Sequence, residues 1–203
     1  MKLPKIRSKR TLFTAAVGGL VVSPALIFLP SIRAPFQNYS VQTTGNIIIS
    51  KTEEERSQLP IRLTIPILNV NSVIEDVGVT DGGEMDIPKG PMTTAWFNLG
   101  PRPGEEGSAV ISGHFGWKNG IPAVFDNLHK LKIGDKIYTY GESGVSTTFV
   151  VREIKSYDQN ADASNVFGSS DGKAHLNLVT CQGVWNKNLK SYSNRLVVFA
   201  DIE

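Results

Sequence analysis

From Ile61 to the C-terminus, turn-forming residues cut the chain into short runs of branched and aromatic residues, and this spacing restricts it to a mainly β fold. The runs are Ile61–Ile65, Ser72–Val79, Met85–Ile87, Ser108–Ser112, Lys136–Thr139, Thr147–Ser156, Ala174–Cys181 and Arg195–Ile202. Asp81-Gly82-Gly83, Pro103-Gly104 and Gly141 punctuate them. Successive side chains of a strand point to opposite faces. Many short strands with few helices therefore bury their apolar faces by closing into a barrel. We expect a closed or nearly closed β-barrel. A short helix is expected at about Ala123–Lys130, after Pro122, with Val124, Phe125 and Leu128 on a face that covers the barrel.

The first 59 residues follow other rules. Lys2, Lys5, Arg7, Lys9 and Arg10 make residues 1–10 a basic head. Thr11 to Ile32 carries no charge and is rich in Leu, Val, Ile and Phe. About 20 such residues at about 1.5 Å each span a hydrocarbon core. Basic residues before the span favour a cytoplasmic N-terminus. No small-x-small cleavage site follows it, so residues 11–32 are read as a membrane anchor, with a cleaved signal as the alternative. Residues 33–59 read as a polar stalk. Within it, Ser50-Lys51-Thr52-Glu53 has the form of a capping box, and Glu53 to Gln58 is either a short helix or a solvated charge run. Removing the five charges of the head turns a net +2 into 16 basic against 19 acidic residues. A mildly acidic body argues against nucleic acid as a partner.

Cys181 is the only cysteine, so it forms no intramolecular disulfide. Downstream of an export-like N-terminus it is either a reactive thiol or a small buried residue. In His175-Leu-Asn-Leu-Val-Thr-Cys181, Leu176 and Leu178 face one side of a strand, and Asn177, Val179 and Cys181 the other. A thiol near its free pKa of about 8.5 is mostly protonated at neutral pH, and a neighbouring imidazole can take its proton. Of three histidines, His175 stands six residues away, about 20 Å along an extended strand, and His129 falls in the expected helix. His114 ends a strand after Ser112-Gly113. Arg195 opens the last strand and brings five permanent donors.

Three elements recur in order: Ser112-Gly113-His114, Leu178-Val179-Thr180-Cys181 and Asn194-Arg195-Leu196-Val197-Val198. With Arg62-Leu-Thr-Ile-Pro66, Val77-Gly-Val79, Pro103-Gly104, Val124-Phe125-x-x-Leu128 and Lys132-x-Gly134-Asp135, they resemble the sortases, cysteine transpeptidases of bacterial cell surfaces. The resemblance covers about residues 60–203 and departs at Asn177, where the fuller motif has Thr.

The resemblance implies an eight-stranded barrel with one or two short helices. In this reading Cys181 attacks a Leu-Pro-x-Thr-Gly-like sorting signal, His114 protonates the leaving amine and Arg195 stabilises the oxyanion. An amine acceptor, such as a cell-wall precursor or a pilin lysine, then takes the acyl group from the thioacyl enzyme. The partners would be surface proteins carrying the signal, at the outer face of the membrane. Thr180, Val166, Phe167 and Trp185 are the candidate substrate contacts; Trp185 falls in a loop expected over Gln182–Asn194. A peptidase that only hydrolyses, or an inactive surface barrel, are the alternatives. No cofactor is expected. Asp158, Asp162, Asp171 and Glu105-Glu106 suggest calcium, but that ion needs six or more oxygens held together and these acids are scattered.

Overall fold

The computed structural model describes residues 59–203; the expected anchor, stalk and capping box lie outside them. The strands are β1 (Pro60–Ile65), β2 (Val70–Val77), β3 (Thr94–Phe97), β4 (Gly107–Gly113), β5 (Lys136–Gly141), β6 (Ser146–Asp158), β7 (Ala174–Asn186) and β8 (Ser191–Ile202). They close into one barrel in the order β1-β2-β3-β4-β7-β8-β6-β5. The pairs β2/β3 and β4/β7 are parallel and the others antiparallel.

Alternation along the strands builds two apolar layers. Leu63, Ile65, Ala109, Ile111, Leu176, Leu178, Leu196 and Val198 face the interior, together with Phe149 and Val151. The intervening Val110, Val179, Val197 and Phe199 face outward. These outward residues are nonetheless buried, because the connection from β6 to β7 folds across them. That connection carries a one-turn helix, α1 (Ser164–Phe167), which seats Val166 and Phe167 on the outer face. Strands β4, β7 and β8 are therefore covered on both sides, the most restrained part of the sheet.

Two expected elements differ. Met85–Ile87 is not a strand; among the described residues its trace is a single bridge from Met85 to Val79. Its place in the sheet is taken by Thr94–Phe97, whose four consecutive buried residues show no alternation to read. The segment Ala123–Lys130 forms successive tight turns ending in a 3-10 turn at Leu128–Lys130, not an α-helix. Asp126 explains the break: its carboxylate accepts the Gly116 and Ala123 backbone N–H groups and ties the segment to the loop after β4. The apolar face lies where expected, since Val124, Phe125 and Leu128 are buried against the barrel core.

Candidate active site

Strand register assembles the site. Ser112 of β4 pairs with Val179 of β7 in parallel. Two residues further along each strand come His114 and Cys181. On the other side of β7, Cys181 pairs directly with Arg195 of β8. Neighbouring strands lie about 4.8 Å apart, so three adjacent strands deliver a thiol flanked by an imidazole and a guanidinium. Cys181 is half-buried.

The backbone holds both partners. His114 Nε2 lies 2.7 Å from the Pro88 carbonyl oxygen. A carbonyl only accepts, so Nε2 carries the proton and Nδ1 is the nitrogen left for chemistry. The Trp117 ring packs edge-on against His114, 4.6 Å between centroids. Arg195 Nη1 donates to the carbonyls of Tyr192 and Asn194, and Nη2 to the Ser191 hydroxyl, each at 3.0 Å. Three of its five donors fix it to its own strand, and two remain for a substrate.

Thr180 has a defined task. Its buried hydroxyl donates to the Gly113 carbonyl at 2.7 Å, tying the Cys181 strand to the strand end that carries His114. Asn177 is equally specific: its Nδ2 donates to the Val166 carbonyl at 2.7 Å, which fastens α1 to β7. Its Oδ1 is buried without a partner.

Cys181, His114 and Arg195 line one cleft of about 150 Å³ with Met85, Ile87, Pro88, Phe167, Val179 and Thr180. Glu84 and Asp86 also line it and add negative charge. A larger cavity, about 450 Å³ between Arg102–Glu105 and Tyr140–Thr147, contains none of the three, so size does not select the site. Of the four expected substrate contacts, Phe167 and Thr180 line the cleft. Val166 does not; it is fully buried in the outer layer beneath α1. Trp185 does not either. It packs 5.1 Å from Tyr192, which in turn stands 5.4 Å from Phe115. The expected Gln182–Asn194 loop is a hairpin, with β7 and β8 running on to Asn186 and Ser191 around a bulge at Gly183. Sequence reasoning missed Pro88, whose contribution is a backbone carbonyl and leaves no side-chain signal.

The acids that suggested calcium serve local structure. Asp158 accepts the Asn160 N–H, Asp162 the Ser164 N–H, and Asp171 is bonded to His175. Among the described residues no three His, Cys, Asp or Glu side chains group as metal ligands. His175 lies near the start of β7, away from the cleft, clamped between Asp201 at 2.7 Å and Asp171 at 3.0 Å.

A family model described as the sortase domain matches residues 63–203. The chain belongs to the sortase family. Several solved sortases share its fold. A sortase C-1 from Actinomyces oris is 21% identical with a TM-score of 0.55, covering 84% of this chain and 89% of its own. A Clostridium perfringens sortase D5 transpeptidase is 23% identical with a TM-score of 0.55, covering 82% and 90%. A sortase C-1 variant from S. pneumoniae is 19% identical with a TM-score of 0.54 over 70% of this chain, which spans 64% of that one. No curated protein matches the chain in sequence. The match to the family model and the barrel agree with the sequence reading of a sortase.

Proposed function

We propose that this sortase is a membrane-anchored cysteine transpeptidase of the cell surface, cleaving a Leu-Pro-x-Thr-Gly-like sorting signal. The observation that carries the reading is the convergence on one cleft of Cys181 and Arg195, paired across two neighbouring strands, with His114 just past the end of a third. Cys181 passes its thiol proton to His114 Nδ1 and its Sγ attacks the scissile carbonyl, forming a C–S bond, while Arg195 stabilises the oxyanion. Collapse of the tetrahedral intermediate breaks the C–N bond, and His114 gives its proton to the departing amine. An amine then displaces the thiolate. Phe167, Met85 and Ile87 offer apolar contact for the signal's side chains. The uncharged, largely apolar segment Thr11–Ile32 behind a basic head supports the anchor and an outward-facing barrel.

Mass spectrometry of the full chain with sorting-motif peptides, with and without an amine, tests the reading. A thioacyl adduct on Cys181 and an amide product are expected. Acid product alone with every amine tried, including wall-peptide and pilin-lysine mimics, would make the hydrolytic peptidase the better description.

A further inference from the structure

Cys181 borders two cavities. Besides the cleft with His114 and Arg195, it lines a second cavity of about 150 Å³ walled by Phe115, Phe125 and Leu196. His129 and Gln182 also border it. The two cavities share Thr180 and Cys181 and no other residue, so the thiol stands between them. Sequence alone placed His129 in the expected helix. The tight turns that replace that helix bring it to the far side of the nucleophile.

Resting on the transpeptidase reading, the geometry points to the second cavity as the acceptor site. It takes a primary amine on an unbranched aliphatic stem, and His129 receives the proton of the incoming ammonium. The walls supply the first half of the argument. Phe125 and Leu196 are buried and Phe115 partly so, an apolar lining for methylenes. The donor signal occupies the first cleft, beside His114 and Phe167, so the nucleophile reaches the thioester from the other side of Cys181.

The proton supplies the second half. An alkylamine has a pKa near 10.4 and is almost wholly ammonium at neutral pH, without the lone pair needed for attack. His129 Nδ1 lies 3.1 Å from the Asp126 carbonyl oxygen. A carbonyl accepts only, so Nδ1 carries the proton and Nε2 holds a lone pair. Imidazole is the side chain suited to taking up a proton near neutral pH. The ammonium gives one proton to His129, and its nitrogen forms the C–N bond as the C–S bond breaks. The second nitrogen proton passes to His114, which acylation left neutral, restoring the imidazolium beside the Cys181 thiolate.

The test uses the full chain, a sorting-motif peptide as acyl donor, and n-butylamine or tert-butylamine as acceptor. Amide is read against acid, each variant normalised to its own acid release without amine. Wild type should saturate with n-butylamine and reject tert-butylamine. Gln182→Phe, which fills the mouth, should raise the half-saturating n-butylamine concentration about tenfold. His129→Gln should lower amide formation about 10²-fold at neutral pH, and what remains should climb with the fraction of free amine as pH is raised. Both side chains are outside the buried core, so folding is not at stake. Wild-type amide-to-acid ratios in both variants would overturn the assignment alone. An effect of Gln182→Phe without one of His129→Gln would keep the cavity and overturn the role of the histidine. A chain that forms neither acid nor amide would overturn the transpeptidase reading and this assignment with it.

Discussion

Gly113 has no room for a side chain. A Cβ there would sit 2.7 Å from Phe125 Cε2 and 2.8 Å from Val124 Cγ1. The glycine before His114 thus lets the 123–130 turns press against the strand end. Gly113→Ala should cost about 1–3 kcal/mol by overpacking and displace His114, read as a lowered thermal midpoint together with lost activity. The reactive side chains behave differently. Cys181→Ala should abolish thioacyl formation with the fold retained. His114→Ala should lower the acylation rate about 10²–10⁴-fold and Arg195→Ala about 10²–10³-fold, measured by peptide cleavage. Near-normal cleavage in either would remove that residue from the mechanism. These three positions were legible because the motif order carried them. The setting of His175 was not, since its carboxylate partners come from Asp171 in the preceding connection and Asp201 on the neighbouring strand. His175→Ala should therefore lower stability and spare the chemistry, rather than be silent.

At the scale of elements, branched and aromatic runs between turn residues revealed every strand but β3, including β4, β7 and β8, whose two faces are both covered. Thr94–Phe97 is buried at every position and gives no alternation, and Met85–Ile87 has a strand's alternation but pairs, among the described residues, only through the bridge from Met85 to Val79. The hairpin arms beyond Cys181 are largely exposed, so they carry little apolar signal and read as a loop. The consequence for experiment is specific. Shortening the turn Lys187–Lys190 to Asn-Gly, the deletion that a two-residue hairpin loop allows, leaves in place Ser191, Tyr192 and Asn194, which hold Arg195. That deletion should leave cleavage within a few-fold of wild type, whereas a cut into Ser191–Asn194 should slow it as Arg195→Ala does. Element α1 makes a complementary prediction. Phe167 touches the donor cleft but none of the reacting groups, so Phe167→Ala should raise KM for the peptide with kcat little changed. A fall in kcat alone would assign it to the transition state instead.

For the whole molecule, location and acid stability can be checked together. The full chain should fractionate with membranes; a freely secreted protein beginning just after residue 32 would show a cleaved signal. At the end of the barrel remote from the cleft, the hydrogen bond from His175, and next the Lys173 backbone N–H, hold the Asp171 carboxyl below its ordinary value. A carboxyl depressed in the folded state stabilises above its unfolded pKa, about 3.9, and stops doing so as pH falls through the folded one. The stability difference between wild type and Asp171→Asn, read from urea midpoints, should thus be largest near neutrality and shrink below about pH 4.

A closed barrel has no free edge, and this bears on how such an enzyme can diverge. Insertions within a strand would break hydrogen bonds on two sides, so lineages can lengthen or rewrite only the connections. Here Cys181 and Arg195 lie on neighbouring strands and His114 just past the end of a third, while most of the surfaces around them come from the 78–93, 115–135 and 159–173 connections. Chemistry and recognition therefore sit on separately heritable parts. A relative could acquire a new sorting signal or a new amine through loop exchange alone, with the spacing of thiol, imidazole and guanidinium left as its ancestor had it.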